Sequence, residues 1–300
     1  MPSLLRLGTR GSKLALIQAR ETASRLDHAH ADLAAPDAVE IVPITTTGDS
    51  VQNRLLSEIG GKGLFTKEID EALLAGRVDI AVHSMKDLPT ALPVGVIVGA
   101  VLPREDPRDA LIGATRIADL PRGATLGTAS LRRAAQVKAQ RPDLAIVPLR
   151  GNVDTRLRKI AAGEAQATIL AVAGLKRMGL MDEGSPLSFE EMLPSVAQGA
   201  IAVACRAGDT RTLERLAAID DEPSRLRVTA EREMLAVLDG SCRTPIAGLA
   251  EIEGASLRIR GLVASVDGTR VDRGERRGAA ADAEALGRAL GEALKAGLPR

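Results

Sequence analysis

Over its first half the chain alternates short apolar runs with amphipathic stretches of helical period, and few folds satisfy that alternation. Runs at 4–7, 39–45, 80–83, 96–102, 125–127, 145–148 and 168–171 read as strands. Stretches at 12–26, 66–75, 131–140, 153–162 and 210–217 read as helices. A strand joined to its neighbour through a helix must cross over and run parallel to it, so the expectation is an α/β fold with mainly parallel sheets. Two proline-bearing segments, Pro-Arg-Glu-Asp-Pro at 103–107 and Leu-Pro-Ser-Val-Ala-Gln-Gly at 193–199, read as hinge strands between two lobes. On that reading residues 1–102 and 198–219 build domain 1, and 103–197 build domain 2. A break at Asp220-Asp-Glu-Pro223 opens domain 3, 220–300, with a helix over 223–238, strands at 246–252, 257–266 and 270–275, and a helix over 283–296. Pro223 suits the first turn of its helix, where a missing N–H costs nothing. No internal repeat is evident.

Composition narrows the function classes. A net charge of +1 gives no global pull toward nucleic acid or membrane, and the absence of Trp and Tyr leaves little to stack on bases. No apolar run approaches the roughly 20 residues of a membrane span, and the N-terminus reads as a short strand rather than a signal peptide. The expectation is a cytoplasmic protein. Three His and two Cys argue against a metal site or a disulfide framework. Cys205 alternates like a core residue. Cys242 lies in Asp-Gly-Ser-Cys-Arg-Thr-Pro at 239–245, a turn-rich loop where a thiol is reachable by a reagent.

Two patterns point to chemistry. The strand at 80–83 delivers Lys86-Asp87 to a point where Pro89 stops regular structure, a rigid mount for a carboxylate. The competing reading is an ion pair of Asp87 with Lys86 or a nearby Arg. His83 points elsewhere by strand alternation and reads as structural. Secondly, strand-to-helix junctions repeat one package: Gly-Thr-Arg-Gly-Ser at 8–12, Thr-Ala-Ser at 128–130 before Arg132 and Arg133, and Arg150-Gly-Asn152 before Arg156. Helix N-termini suit anions, whereas cations in a first turn oppose the dipole. Arginine outnumbers lysine 32 to 8, and arginine is the better residue for gripping carboxylates bidentately. An anionic ligand explains the group; Ser capping with surface ion pairs explains any one member. Gly-Gly-Lys-Gly-Leu-Phe at 60–65 lacks P-loop spacing and reads as a basic flap.

These motifs, with Leu-Arg-Gly-Asn-Val-Asp-Thr-Arg at 149–156, resemble the porphobilinogen deaminase family from Arg6 to about Gly278. The resemblance implies two lobes like type II periplasmic binding proteins plus a small α+β C-terminal domain. It implies a transferase that joins four porphobilinogen units head to tail, with loss of ammonia, and releases hydroxymethylbilane by hydrolysis. The primer would be a dipyrromethane cofactor on Cys242. Asp87 would be catalytic, steadying cationic pyrrole species, with Lys86 beside it. Lys86, Thr128, Ser130, Arg132 and Arg133 would bind the cofactor. Arg10, Ser12, Lys62, Phe65, Arg150, Arg156, Arg177 and Gln198 would bind substrate. No metal, nucleic acid or membrane partner is implied, and a monomer is. The loop departs mildly from the family pattern in having Ser241 where Gly is commoner. Two rivals remain at this level: a non-catalytic two-lobed binding protein for a carboxylate-bearing metabolite, and a nucleic-acid-binding protein.

Overall fold

The computed structural model describes residues 4–50, 65–238 and 244–296, so Lys62 and Cys242 lie outside the described residues. The chain divides into two compact units, with the boundaries at 105/106 and 199/200 falling in the two proline-bearing segments and a third at 225/226.

The first unit holds residues 4–50, 65–105 and 200–225. Its strands are β1 (Leu5–Arg10), β2 (Val39–Ile44), β3 (Ile80–Ser84), β4 (Val96–Val101) and β10 (Ile201–Arg206), in the order β2-β1-β3-β10-β4. β1 pairs in parallel with β2 and β3, whereas β10 runs antiparallel between β3 and β4. Helix α1 (Lys13–Ala29) starts where Ser12 Oγ accepts the Ala15 N–H at 3.3 Å, and α2 (Lys67–Leu74) carries Glu68 and Asp70 in its first turn, where the dipole favours acids. Apolar residues cover the sheet on both faces. Leu7, Leu26, Ile80, Val82, Val203 and Cys205 fill one cluster, and Ile69, Leu73, Val78, Ala81 and Ala204 another. That is why β3 reads as a continuous apolar run rather than an alternation. Cys205 is buried, and burial pushes its thiol up to about 11, so it acts as a small hydrophobe.

The second unit holds residues 106–199, 226–238 and 244–296. Its strands β5 (Asp109–Ile112), β6 (Thr125–Gly127), β7 (Ala145–Val147), β8 (Ala167–Ala171) and β9 (Ser185–Pro186) form a sheet of order β7-β6-β8-β5-β9. The pattern repeats that of the first unit, with an antiparallel strand, β5, in fourth place. Helices α3 (Leu131–Gln140), α4 (Val153–Ala161) and α5 (Val172–Arg177) follow β6, β7 and β8. Sequence reasoning missed β5, β9 and α5, and ended β1 three residues early. β5 has four residues, all buried, and opens on an aspartate, which no apolar-run criterion accepts.

The C-terminal part adds β11 (Ile246–Glu253), β12 (Ser256–Ala264) and β13 (Val271–Ala279), an antiparallel sheet. Helices α6 (Thr210–Ala217) and α7 (Glu222–Val237) precede it, and α8 (Ala283–Ala296) packs against it. α8 crosses α7 so closely at Gly287 that a Cβ there would meet Ala230 O at 2.1 Å. This sheet packs on α3. Ala135 shares a core with Leu193, Ala247, Leu249, Leu262 and Ala264. The β12–β13 turn presses Gly268, at φ +74°, against the α3 backbone, so closely that a Cβ there would meet Ala135 O at 2.5 Å. Both the reversed φ and the close approach require glycine there. No helix among the described residues is long and apolar enough to cross a membrane.

Candidate active site

In the first unit, β3 ends in a single 3-10 turn, Met85–Asp87, which holds Lys86 and Asp87 at the surface while Met85 is buried. The turn is pinned from both sides. Met85 N–H donates to Ala200 O at 3.0 Å, and Ser84 exchanges hydrogen bonds with the buried Gln18 amide at 2.9 and 3.1 Å. Among the described residues the Asp87 carboxylate has no hydrogen-bond or ion-pair partner, so the competing reading of a structural ion pair finds no support. The result is a fixed, open carboxylate. Ser12 is used as a helix cap, and the Arg10 guanidinium lies 4.3 Å from the centre of the Phe65 ring.

His83 is buried, and its Nε2 has no hydrogen-bond partner. Burial, then the charge of Arg10, pushes its pKa down to about 4, so the ring is neutral at pH 7. The unfolded chain protonates this histidine near pH 6.5, before the folded chain does. Stability is therefore untouched above that pH and falls as pH drops from about 6.5 toward 4, by up to about 3 kcal/mol at ~1.4 kcal/mol per pH unit. Replacing His83 by Gln should flatten this stretch of the curve, read from urea midpoints between pH 7 and 4.5. An unchanged slope would assign the acid sensitivity to other groups.

In the second unit the hydroxyl residues act first as caps. Ser130 N–H donates to Thr128 Oγ1 at 3.1 Å, Arg133 N–H to Ser130 Oγ at 3.4 Å, and Thr155 N–H to Asn152 Oδ1 at 2.9 Å. Arg132 and Arg133 are buried rather than open, 7% and 6% exposed, and both pair with Asp109, which is fully buried. Arg132 Nη1 lies 2.7 Å from Asp109 Oδ2, and Arg133 Nη2 donates to Oδ1 at 2.7 Å. Burial alone would raise the Asp109 carboxyl, but the two guanidinium charges outweigh it and hold it well below the usual carboxylate range. Part of the anion that the first-turn arginines call for is thus internal. Nothing in the sequence singled out Asp109; the only signal was an acid opening a short apolar run after Pro107. Gln198, expected at the substrate, directs its amide to Asp109 Oδ1 at 3.0 Å and Pro107 O at 2.8 Å. Arg177 Nη2 donates to Gly199 O at 3.1 Å.

One internal carboxylate does not satisfy the cluster. Arg133 Nε and Arg150 Nη1 are buried with no hydrogen-bond partner among the described residues. Arg156 donates Nε–H to Gly151 O at 2.9 Å, and burial together with the charges of Arg133 and Arg150 pushes its pKa down to about 10. Like charges crowd here with Asp109 as the one carboxylate paired to the cluster among the described residues, and the spare donors fit a ligand that brings carboxylates.

Two family models match the chain: porphobilinogen deaminase, dipyromethane cofactor binding domain, over residues 5–214, and porphobilinogen deaminase, C-terminal domain, over 225–296. The chain belongs to the porphobilinogen deaminase family. It is 56% identical over 298 residues to the porphobilinogen deaminase of Paracoccus denitrificans (strain Pd 1222), covering 98% of this chain and 95% of that one. Identity is 55% over 273 residues to the chloroplastic porphobilinogen deaminase of Oryza sativa subsp. japonica, covering 90% and 76%. With the porphobilinogen deaminase of Nitrobacter winogradskyi it is 54% over 287 residues, covering 95% and 90%. A solved periplasmic binding protein from Brucella ovis with glutathione bound is 14% identical with a TM-score of 0.43, over 78% of this chain and 68% of that one. In porphobilinogen deaminase terms, Asp87, the arginine cluster and Asp109 fall within the cofactor-binding match, and Cys242 within the C-terminal one.

Proposed function

We propose that this chain is a cytoplasmic, monomeric transferase of tetrapyrrole biosynthesis. It joins four porphobilinogen units with loss of ammonia on a dipyrromethane primer and releases hydroxymethylbilane by hydrolysis. The observation that carries this reading is the Arg133, Arg150 and Arg156 cluster, whose buried unpartnered donors match a group bearing several carboxylates, in a chain of the porphobilinogen deaminase family.

Bound through a thioether to Cys242, the dipyrromethane supplies the free pyrrole carbon to which units are added. The chain's residues do the rest. Thr128 and Ser130 shape the turn that presents Arg132 and Arg133, and these arginines hold primer carboxylates. Arg10, Ser12, Arg150, Arg156 and Arg177, with Lys62 and Phe65, bind the acetate and propionate groups of incoming porphobilinogen, while Gln198 serves the fold at Asp109. Asp87 stabilises positive charge on the pyrrole nitrogen of the reacting unit, and Lys86 beside it contacts the primer. The open, unpartnered Asp87 carboxylate supports that assignment, because a fixed anion stabilises a transient cation without reorganising.

Intact mass of the denatured protein tests the proposal. The expected result is an excess of two pyrrole units mapping to Cys242. Because the chain lacks Trp and Tyr, any sizeable near-ultraviolet absorbance must accompany that excess. An unmodified mass that persists after incubation with porphobilinogen would reject the reading.

A further inference from the structure

We propose that Asp109 is a positioning residue, whose buried carboxylate splays Arg132 and Arg133 into their ligand-gripping arrangement and is itself locked by Gln198. The proposal rests on the reading that these arginines hold a carboxylate-bearing group. Topology brings the parts together. β5 runs antiparallel to β8, with Asp109 opposite Ala171, so the start of β5 lies at the edge of the sheet where the parallel strands end. β6 ends at that same edge and hands over to α3, whose first turn carries the two arginines.

Each carboxylate oxygen faces a different guanidinium, so neither arginine takes Asp109 as a two-pronged fork. A second contact fixes the plane of each. Arg132 Nη1, in ion-pair contact with Oδ2, donates its hydrogen bond to Leu193 O at 2.8 Å, and Arg133 Nη1 donates to Ile169 O at 2.7 Å. Of the three guanidinium nitrogens of Arg133, Nε is the buried one with no hydrogen-bond partner among the described residues. Asp109 thereby decides which donors are spent inside the protein and which are left for a ligand.

The lock has its own anchor. Gln198 follows Ala197, which sits at φ +58°, a conformation costly for a residue with a Cβ. Glu231, fully buried on α7, holds it there by accepting the Ala197 N–H at 2.6 Å and the Ala250 N–H of β11 at 2.7 Å. α7 and β11 are the two elements that flank the segment bearing Cys242.

Asp109→Asn, Asp109→Ala and Asp109→Glu test the idea. In Asp109→Asn the shape is kept and the charge lost. The expected result is a KM for porphobilinogen at least tenfold higher with a smaller change in kcat, since Arg133 stands beside Arg150 and Arg156, which take the incoming unit, and a grip lost equally from ground and transition states raises KM. Asp109→Glu should not restore KM, because an added methylene displaces both guanidinium groups. Asp109→Ala should melt higher in sodium formate than in sodium chloride of equal ionic strength, formate replacing the missing carboxylate. That melting difference needs no turnover, so it reads positioning even if the enzymatic proposal fails on intact mass. A folded Asp109→Asn with parental KM, or Asp109→Ala that melts alike in both salts, would overturn the proposal. Variants insoluble in formate and chloride alike would assign Asp109 to stability alone and overturn it equally.

Discussion

Asp87→Asn should fold, carry its primer and turn over about a thousandfold more slowly. The side chain is exposed on a 3-10 turn and makes no hydrogen bond or ion pair with other described residues, so neutralising it removes no such interaction from the fold. On the proposed assignment its anion stabilises a cationic pyrrole nitrogen. At about 4 Å and an effective dielectric near 20, that attraction is about 4 kcal/mol, and each ~1.4 kcal/mol is tenfold in rate. Single-turnover kinetics with intact-mass readout of chain length would check it. Near-parental rates would remove Asp87 from the chemistry.

Arg156→Met should separate stability from function in opposite directions. Among the described residues Arg156 has no acid partner, and it lies among like charges that push its pKa down. Removing the cation from a Cys242→Ser background, where no primer can attach, should raise Tm by a degree or more. A half-buried group is partly screened by solvent, so the gain is held to about 1 kcal/mol. In the Cys242 parent the same change should raise the KM for porphobilinogen about a hundredfold, since hydrogen bonds to charged groups contribute about 1.5–3 kcal/mol. A lower Tm with unchanged KM would return Arg156 to a purely structural role. Arg132 and Arg133 should not show this stabilisation, because each has Asp109 to lose.

Much of this was legible in the chain. Apolar spacing placed β3, α3, α4 and α8, because strands and helices that face a core must repeat at their own periods. The prolines at 103–107 and 193–199 lie beside two of the unit boundaries, since proline cannot sit inside a continuing sheet or helix. First-turn arginines, by breaking the helix-dipole rule, flagged the cluster that forms around Asp109. The order of the two sheets, with β10 and β5 each antiparallel in fourth place, was not legible. Neither was the pairing of one buried aspartate with two arginines on another element.

The sequence by itself determined which residues carry charge and at which strand and helix ends they emerge, because local period, capping and turn chemistry act over a few neighbours. Only the tertiary structure decided which of those charges are spent within the fold. Asp109 and Arg132 are 23 positions apart, and no local rule couples them; burial does, because a carboxylate without solvent must find its cations wherever the sheet brings them. Asp87, left exposed by the same fold, stays open to solvent.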